Sequence, residues 1–265
     1  NPAIQVTLIE SAKTFYTCPF SNMVLGGLRQ MEQIAHRYDN LKTFGIVVVH
    51  DLVIAVDTDK KTVRLQDNST LAYDKLLLSP GIDFRWGAIE GYDEEASLLA
   101  PHAWKAGEQT VILRKQLEAM PDNGKFVMVI PEGAFRCPPG PYARASLVAH
   151  YLKHHKPKAK LIILDAQDNF SKQSLFEQGW STFYRDIIER VPLSLGGKVT
   201  RIDAKALEAE TEFGDLIKAD VLNVIPPQQA GLIAHKAGVA NETLWVPIEA
   251  DTFESHAVND VYVVG

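Results

Sequence analysis

Phe126-Val127-Met128-Val129-Ile130-Pro131-Glu132-Gly133-Ala134-Phe135-Arg136-Cys137-Pro138-Pro139-Gly140 is the stretch whose reading decides the fold. Its first five residues are an unbroken apolar run rich in β-branched side chains, the pattern of a strand buried on both faces of a sheet. A helix is predicted after Pro141, and a second buried strand follows at Leu161-Ile162-Ile163-Leu164-Asp165. Strand, turn, helix and strand make one α/β unit. In a dinucleotide fold the first such turn is glycine-rich, because only glycine lets the backbone reach a pyrophosphate at the helix N-terminus. Here prolines and bulky side chains fill that turn, which argues against NAD(H) as a ligand. Asp165 ends its strand where a ribose-binding acid would sit, and without the glycine turn it reads as a loop residue.

Working outward, a helix is predicted over residues 108–120, with Pro121-Asp122-Asn123-Gly124 and Lys156-Pro157-Lys158 as breaks. The basic run Lys153-His154-His155-Lys156-Pro157-Lys158 reads as a solvated helix end. Nearer the start, Val6 to Glu10 reads as a buried strand ending in an acid, followed by a helix over residues 28–44 and the strand Ile46-Val47-Val48-Val49. Short strands at residues 53–57, 62–66 and 70–73, separated by turn residues, predict an antiparallel meander. Leu76-Leu77-Leu78-Ser79, Asp220 to Ile225 and Val261 to Val264 are further strands. The layout is two α/β domains, the first interrupted by the second: residues 1–106 with 224–265, and residues 107–223. The abrupt first and last strands lead us to expect that the first domain is incomplete at both ends.

Of the 265 residues, 46% are hydrophobic and 23% charged, an ordinary globular balance, and the formal charge of −6 argues against a nucleic-acid partner. No apolar run reaches the length of a membrane span. The two cysteines, Cys18 and Cys137, are too far apart in sequence for a zinc motif, so no structural metal is expected.

Three residues carry possible chemistry. Glu10, at a strand end, is either a ribose acid or the first residue of a loop; no GxGxxG occurs in the chain, and the turn that would accompany it belongs upstream of Asn1. Cys137 stands between Arg136 and two prolines; an arginine beside a cysteine favours the thiolate, yet a single cysteine is also an ordinary small apolar residue. The same pair of readings applies to Cys18.

Four longer strings carry a resemblance: Phe15-Tyr16-Thr17-Cys18-Pro19-Phe20-Ser21-Asn22, Pro101-His102-Ala103-Trp104-Lys105-Ala106-Gly107-Glu108-Gln109-Thr110, Phe135 to Tyr142, and Phe170-Ser171-Lys172-Gln173. Together they resemble the flavin subunit of flavocytochrome c sulfide dehydrogenase almost from end to end. The resemblance implies a two-domain FAD/NAD(P)-binding-like disulfide-reductase fold and a periplasmic enzyme that moves electrons from sulfide through FAD to a c-type cytochrome subunit. It implies that Cys18 anchors the flavin covalently, and that Cys137 is half of a redox disulfide whose partner lies outside this chain. Cofactor contacts are implied at Glu10, Ser11, Lys13, Thr17, Asn22, Val53, Pro80, Gly81 and Gly265. The acid expected after Tyr142 is replaced by Ala143, so no acid/base role is carried over there. Two other readings remain open: a sulfide:quinone oxidoreductase, against which Cys18 argues, and a non-catalytic fragment with an incomplete FAD site.

Overall fold

The computed structural model describes residues 3–265; Asn1 and Pro2, from which the sequence reading ran straight into the first strand, lie outside the described residues. Two compact units are present. One comprises Tyr16–Ala35 and Phe84–Pro227; the other comprises the segment ending at Phe15 together with His36–Asp83 and Gln228–Gly265.

In the interior unit the apolar run of the opening stretch becomes the strand Lys125–Ile130. It pairs in parallel with Lys160–Asp165 on one side and Val221–Val224 on the other, and Ile188–Val191 pairs outside Lys160–Asp165. Third, second, first, fourth in chain order is the strand arrangement of one half of a doubly wound dinucleotide fold. Phe126 to Ile130 are fully buried, as a run without alternation requires, and each such side chain contributes about 1.5–3 kcal/mol by leaving water. Helices α1 (Cys18–Leu25), α2 (Glu108–Ala119), α3 (Gly140–His155) and α4 (Gln173–Phe183) complete the unit. On α3 the buried residues Tyr142, Ala145, Ala149 and Leu152 recur at helical spacing and face the strand Lys160–Asp165 and helix α1. An antiparallel excursion, Val199–Asp203, Glu208–Thr211 and Leu216–Lys218, precedes the fourth strand and closes its core with Ile202 and Ala209.

The other unit holds the parallel pair Thr7–Ile9 with Val47–Val49, the expected meander Val53–Asp57, Thr62–Leu65 and Thr70–Ala72, and the parallel pair Leu76–Leu78 with Val261–Val263. Leu78, Ala230, Ala234, Ala237, Val239 and Val261 form its small core around the short helix Leu232–Lys236.

Three expectations are revised, and further elements are added. No helix runs over residues 28–44. Instead α1 starts ten residues earlier and stops before Gly26 and Gly27, and the later segment holds two 3-10 turns and the strand Ala35–Arg37. The apolar residues of that segment have helix-like spacing, but only Ile34 is buried, so no continuous face pays for a helix. The interior unit begins at Phe84, not 107, and includes residues 16–35, because α1 packs on α2 and α3 and because the buried segment Ala100 to Trp104 wraps a side chain of α3. Helix α4 and the antiparallel excursion were not among the predicted elements; α4 has an amphipathic pattern, although only Trp180 is buried on it. Finally, the basic run at the end of α3 is not wholly solvated: Lys156 is buried and donates to the Met120 carbonyl at 2.6 Å.

Candidate active site

Helix α1 begins at Cys18 because Thr17 is extended and Pro19, which needs no amide partner, fits the first turn. The half-buried Cys18 thiol lies 3.5 Å from the Trp104 carbonyl oxygen and receives a hydrogen bond from Arg136 Nη2 at 3.3 Å. Arg136 donates to the same Trp104 carbonyl. The gap beside Gly140 is bordered by the Trp104 ring edge and by the other cysteine. A Cβ on Gly140 would fall 2.8 Å from Trp104 Cη2 and 3.2 Å from Cys137 Sγ, so only glycine fits where the ring edge and the sulfur converge. Both cysteines are free thiols: Cys18 lies at the Trp104 carbonyl, and Cys137 Sγ borders the same gap beside Gly140 as the Trp104 ring edge. The sequence put Arg136 beside Cys137, but the folded chain gives it to Cys18.

Cys137 itself is exposed and has φ +60°, a left-handed conformation that a non-glycine residue adopts at a cost. The turn is held by the Gly140 amide donating to the Cys137 carbonyl at 2.7 Å. Trp104 Nε1 is buried and has no acceptor among the described residues, an orphaned donor of the kind that marks a site.

Beneath Trp104 lies Arg144, 1% exposed, with its guanidinium 5.0 Å from the ring centroid. It donates to Asn22 Oδ1 at 3.0 Å, Asn223 Oδ1 at 3.0 Å, the His102 carbonyl at 2.8 Å and the Ala103 carbonyl at 2.5 Å. All four acceptors are neutral. Burial pushes Arg144 down to about 10, still charged at neutral pH. His102 is held down to about 3, first by burial and then by the charges of Arg144 and Lys105, so it is a neutral imidazole. Its Nδ1 accepts the Trp104 amide at 2.9 Å. Arg144, His102, Asn223 and Trp104 were not singled out from sequence. Arg144 and His102 lie in or beside the quoted strings, but nothing local tells a buried arginine from a surface one.

The start of α3 cannot cradle a pyrophosphate. The Gly140 amide is used by Cys137, Pro141 has no amide hydrogen, and the Ala143 amide bonds Pro139. Asp165 is likewise committed: it accepts from the Tyr142 hydroxyl at 2.9 Å and Arg190 Nε at 2.8 Å. Phe170 stacks on Tyr142 with centroids 3.5 Å apart, and Arg190 covers Phe170 at 4.8 Å. Burial raises the Asp165 carboxyl against the lowering pull of Arg190 and Tyr142. Asp165 is thus a structural acceptor, not an idle loop residue.

The remaining sequence candidates fall into two groups. Thr17 and Asn22 join the cysteines in the interior unit: Thr17 Oγ1 donates to the Ile34 carbonyl at 3.3 Å, and the Asn22 amide is spent on Arg144 and, at 3.5 Å, on the Gly140 carbonyl. Glu10, Ser11, Lys13, Val53, Pro80, Gly81 and Gly265 lie in the other unit. Glu10 accepts the Ala12 amide at 2.8 Å and interacts with the Tyr38 hydroxyl, whose acidity it weakens together with burial. Lys13 lines a cavity of about 260 Å³ with Arg37, Tyr38, Lys42 and His50. Val53 opens the meander, while Pro80, Gly81 and Gly265 gather where Ser79 Oγ donates to the Val264 carbonyl at 3.0 Å. Among the described residues no group of three or more His, Cys, Asp or Glu is assembled as for a metal, and no helix is long and apolar enough to cross a membrane.

Residues 110–226 match the family model of the central part of the sulfide dehydrogenase (flavocytochrome c) flavoprotein chain. The mitochondrial sulfide:quinone oxidoreductases of Mus musculus and Dictyostelium discoideum are 20% and 21% identical to this chain over 99% and 98% of its length. The chain spans 60% and 58% of those relatives. Among solved structures, the sulfide:quinone oxidoreductase of Aquifex aeolicus covers all of the chain at 21% identity with a TM-score of 0.76, and the chain covers 62% of it. The NAD-dependent persulfide reductase of A. fulgidus also covers all of it, at 15% identity and a TM-score of 0.71, with 49% of that chain covered. At these identities the solved structures establish the fold, that of the FAD/NAD(P)-binding disulfide oxidoreductases.

Proposed function

We propose that this chain, whose residues 110–226 belong to the flavocytochrome c sulfide dehydrogenase flavoprotein family, is the sulfide-oxidising flavin portion of a periplasmic enzyme that delivers electrons to a c-type cytochrome subunit. The observation that carries the reading is the placement of both cysteines in the neighbourhood of Trp104, Cys18 at its carbonyl under Arg136 and Cys137 exposed in a left-handed turn beside Gly140.

The residues fit FAD in one testable respect. The buried Trp104 Nε1–H has no acceptor among the described residues, and the Arg136 guanidinium lies beside Cys18; both are donors of the kind that a ring system with carbonyl acceptors at its edge would use. Bound FAD would supply a two-electron acceptor. Cys18 would tether it through a thioether, and Glu10 with Ser11 and Lys13 would hold the adenosine ribose, as strand-end acids do in this class of fold. Cys137 would act in a disulfide with a second cysteine other than Cys18. Hydrosulfide attacks Cys137 Sγ, the old S–S bond breaks, a new S–S bond forms, and the partner sulfur leaves as thiolate. The exposure of Cys137 admits that nucleophile, and the left-handed turn holds its sulfur beside Gly140.

The decisive experiment is acid precipitation of the purified protein followed by absorption spectroscopy. Flavin bands should remain with the polypeptide; complete release into the supernatant would remove Cys18 as the anchor. Quinone delivery is the second reading, since the named relatives are sulfide:quinone oxidoreductases. Sulfide-dependent reduction of a soluble quinone with no reduction of cytochrome c would select it.

A further inference from the structure

The last turns of α3, away from the cysteines, bring two histidines onto one face. His150 and His154 are four residues apart, and their ring centroids are 4.4 Å apart with planes inclined by 47°. His154 Nδ1 lies 2.8 Å from the His150 carbonyl oxygen, so it carries the proton and donates, leaving Nε2 with the free lone pair. His150 Nδ1 lies 3.5 Å from the Tyr184 hydroxyl, which engages the corresponding nitrogen of the second ring. Two neighbouring side chains are engaged elsewhere: Lys153 donates to the Phe183 carbonyl at 3.2 Å, and the His155 ring stacks on Tyr151 at 4.5 Å.

We propose that His150 and His154 form a bidentate chelate, through Nε2 of each ring, for a divalent transition-metal ion of tetragonal preference such as Ni²⁺ or Cu²⁺. Metal–imidazole bonds of about 2.0–2.1 Å place each ring centroid roughly 3.2 Å from the ion, so the centroids stand about 4.5 Å apart for a right-angled pair and about 5.2 Å for a tetrahedral one. The observed separation matches the right-angled pair, which suits square-planar or octahedral ions better than tetrahedral zinc. The carbonyl bond to His154 Nδ1 is the outer contact that fixes tautomer and ring orientation in histidine–metal sites. With no group of three donors assembled among the described residues, the chelate is open, and its other positions go to water or exchangeable anions.

The test is calorimetric titration of the untagged chain with NiCl₂ and ZnCl₂, after both cysteines have been blocked with N-ethylmaleimide. One Ni²⁺ site per chain is expected, tighter than for Zn²⁺, weakened at least tenfold by His154→Ala and unchanged by His155→Ala. Affinity should fall as pH drops through the imidazole range, because protons compete for Nε2. Since His154 is exposed, the variant keeps its fold, which circular dichroism of the helical signal checks. Undiminished Ni²⁺ binding in His154→Ala, equal loss in His155→Ala, or tighter Zn²⁺ than Ni²⁺ binding would overturn the proposal.

Discussion

At the scale of single residues, the interior unit carries a guanidinium that no carboxylate neutralises among the described residues. Arg144 survives there because four oxygens and an aromatic face replace its water. Burial, and after it the charge of Arg144, keeps His102 neutral, and this makes a pH prediction. In the unfolded chain His102 takes up a proton below its ordinary value near 6.5, but in the folded chain only near 3. Its contribution to stability is thus complete above pH 6.5 and is lost progressively as the pH falls toward 3. Urea unfolding should show stability dropping from pH 7 to pH 5 with a slope approaching about 1.4 kcal/mol per pH unit from this group. His102→Asn, whose side-chain oxygen can still accept the Trp104 amide, should remove that part of the slope. The two cysteines should separate in the same manner. Cys18→Ser is expected to leave flavin bound but releasable by acid, whereas Cys137→Ser keeps the attached flavin and loses most sulfide oxidation. Near-normal sulfide turnover in Cys137→Ser would mean that hydrosulfide attacks the flavin directly.

At the scale of elements, the turn between the strand Lys125–Ile130 and helix α3 withholds donors that dinucleotide folds commonly aim at a pyrophosphate. Pro141 deletes one amide, the Cys137 turn takes another, and Phe170 between Tyr142 and Arg190 fills the neighbourhood of Asp165 with the chain's own aromatic side chain. We therefore expect no saturable NADH binding to the protein by calorimetry. Replacing Phe170 by alanine should not create it, because the helix N-terminus still lacks its donors. The prolines of this turn were legible in the sequence, and so was their consequence for phosphate binding. The commitment of Asp165 was not, because Arg190 comes from a strand 25 residues away and only sheet pairing brings it alongside.

At the scale of the whole molecule, the chain crosses between its two units four times, and α1 belongs to the interior one although its sequence lies far ahead of it. Leu25 is fully buried in that unit, and Arg114 donates to its carbonyl at 2.7 Å. Leu25→Ala should therefore cost about 2–5 kcal/mol. Hydrogen exchange should then accelerate in the strand Lys125–Ile130 while the meander strands keep their protection. Equal acceleration in the meander would show that the two units unfold as one.

The sequence alone determined the α/β class, the parallel strands of the interior unit, the meander and the loss of the phosphate turn. Each is written locally, in unbroken apolar runs, turn residues and prolines whose effects reach only a few residues. The long strings around Cys18 and Cys137 also marked both sulfurs. Tertiary structure decided the rest: that Arg136 donates to Cys18, that the Trp104 carbonyl lies at the Cys18 thiol, and that Arg144 is buried. Those contacts join residues roughly 30 to 120 positions apart. A charged side chain carries no local sign of whether it will meet water or a carbonyl, and only the packing of α1, α3 and the Ala100 to Trp104 segment settles that.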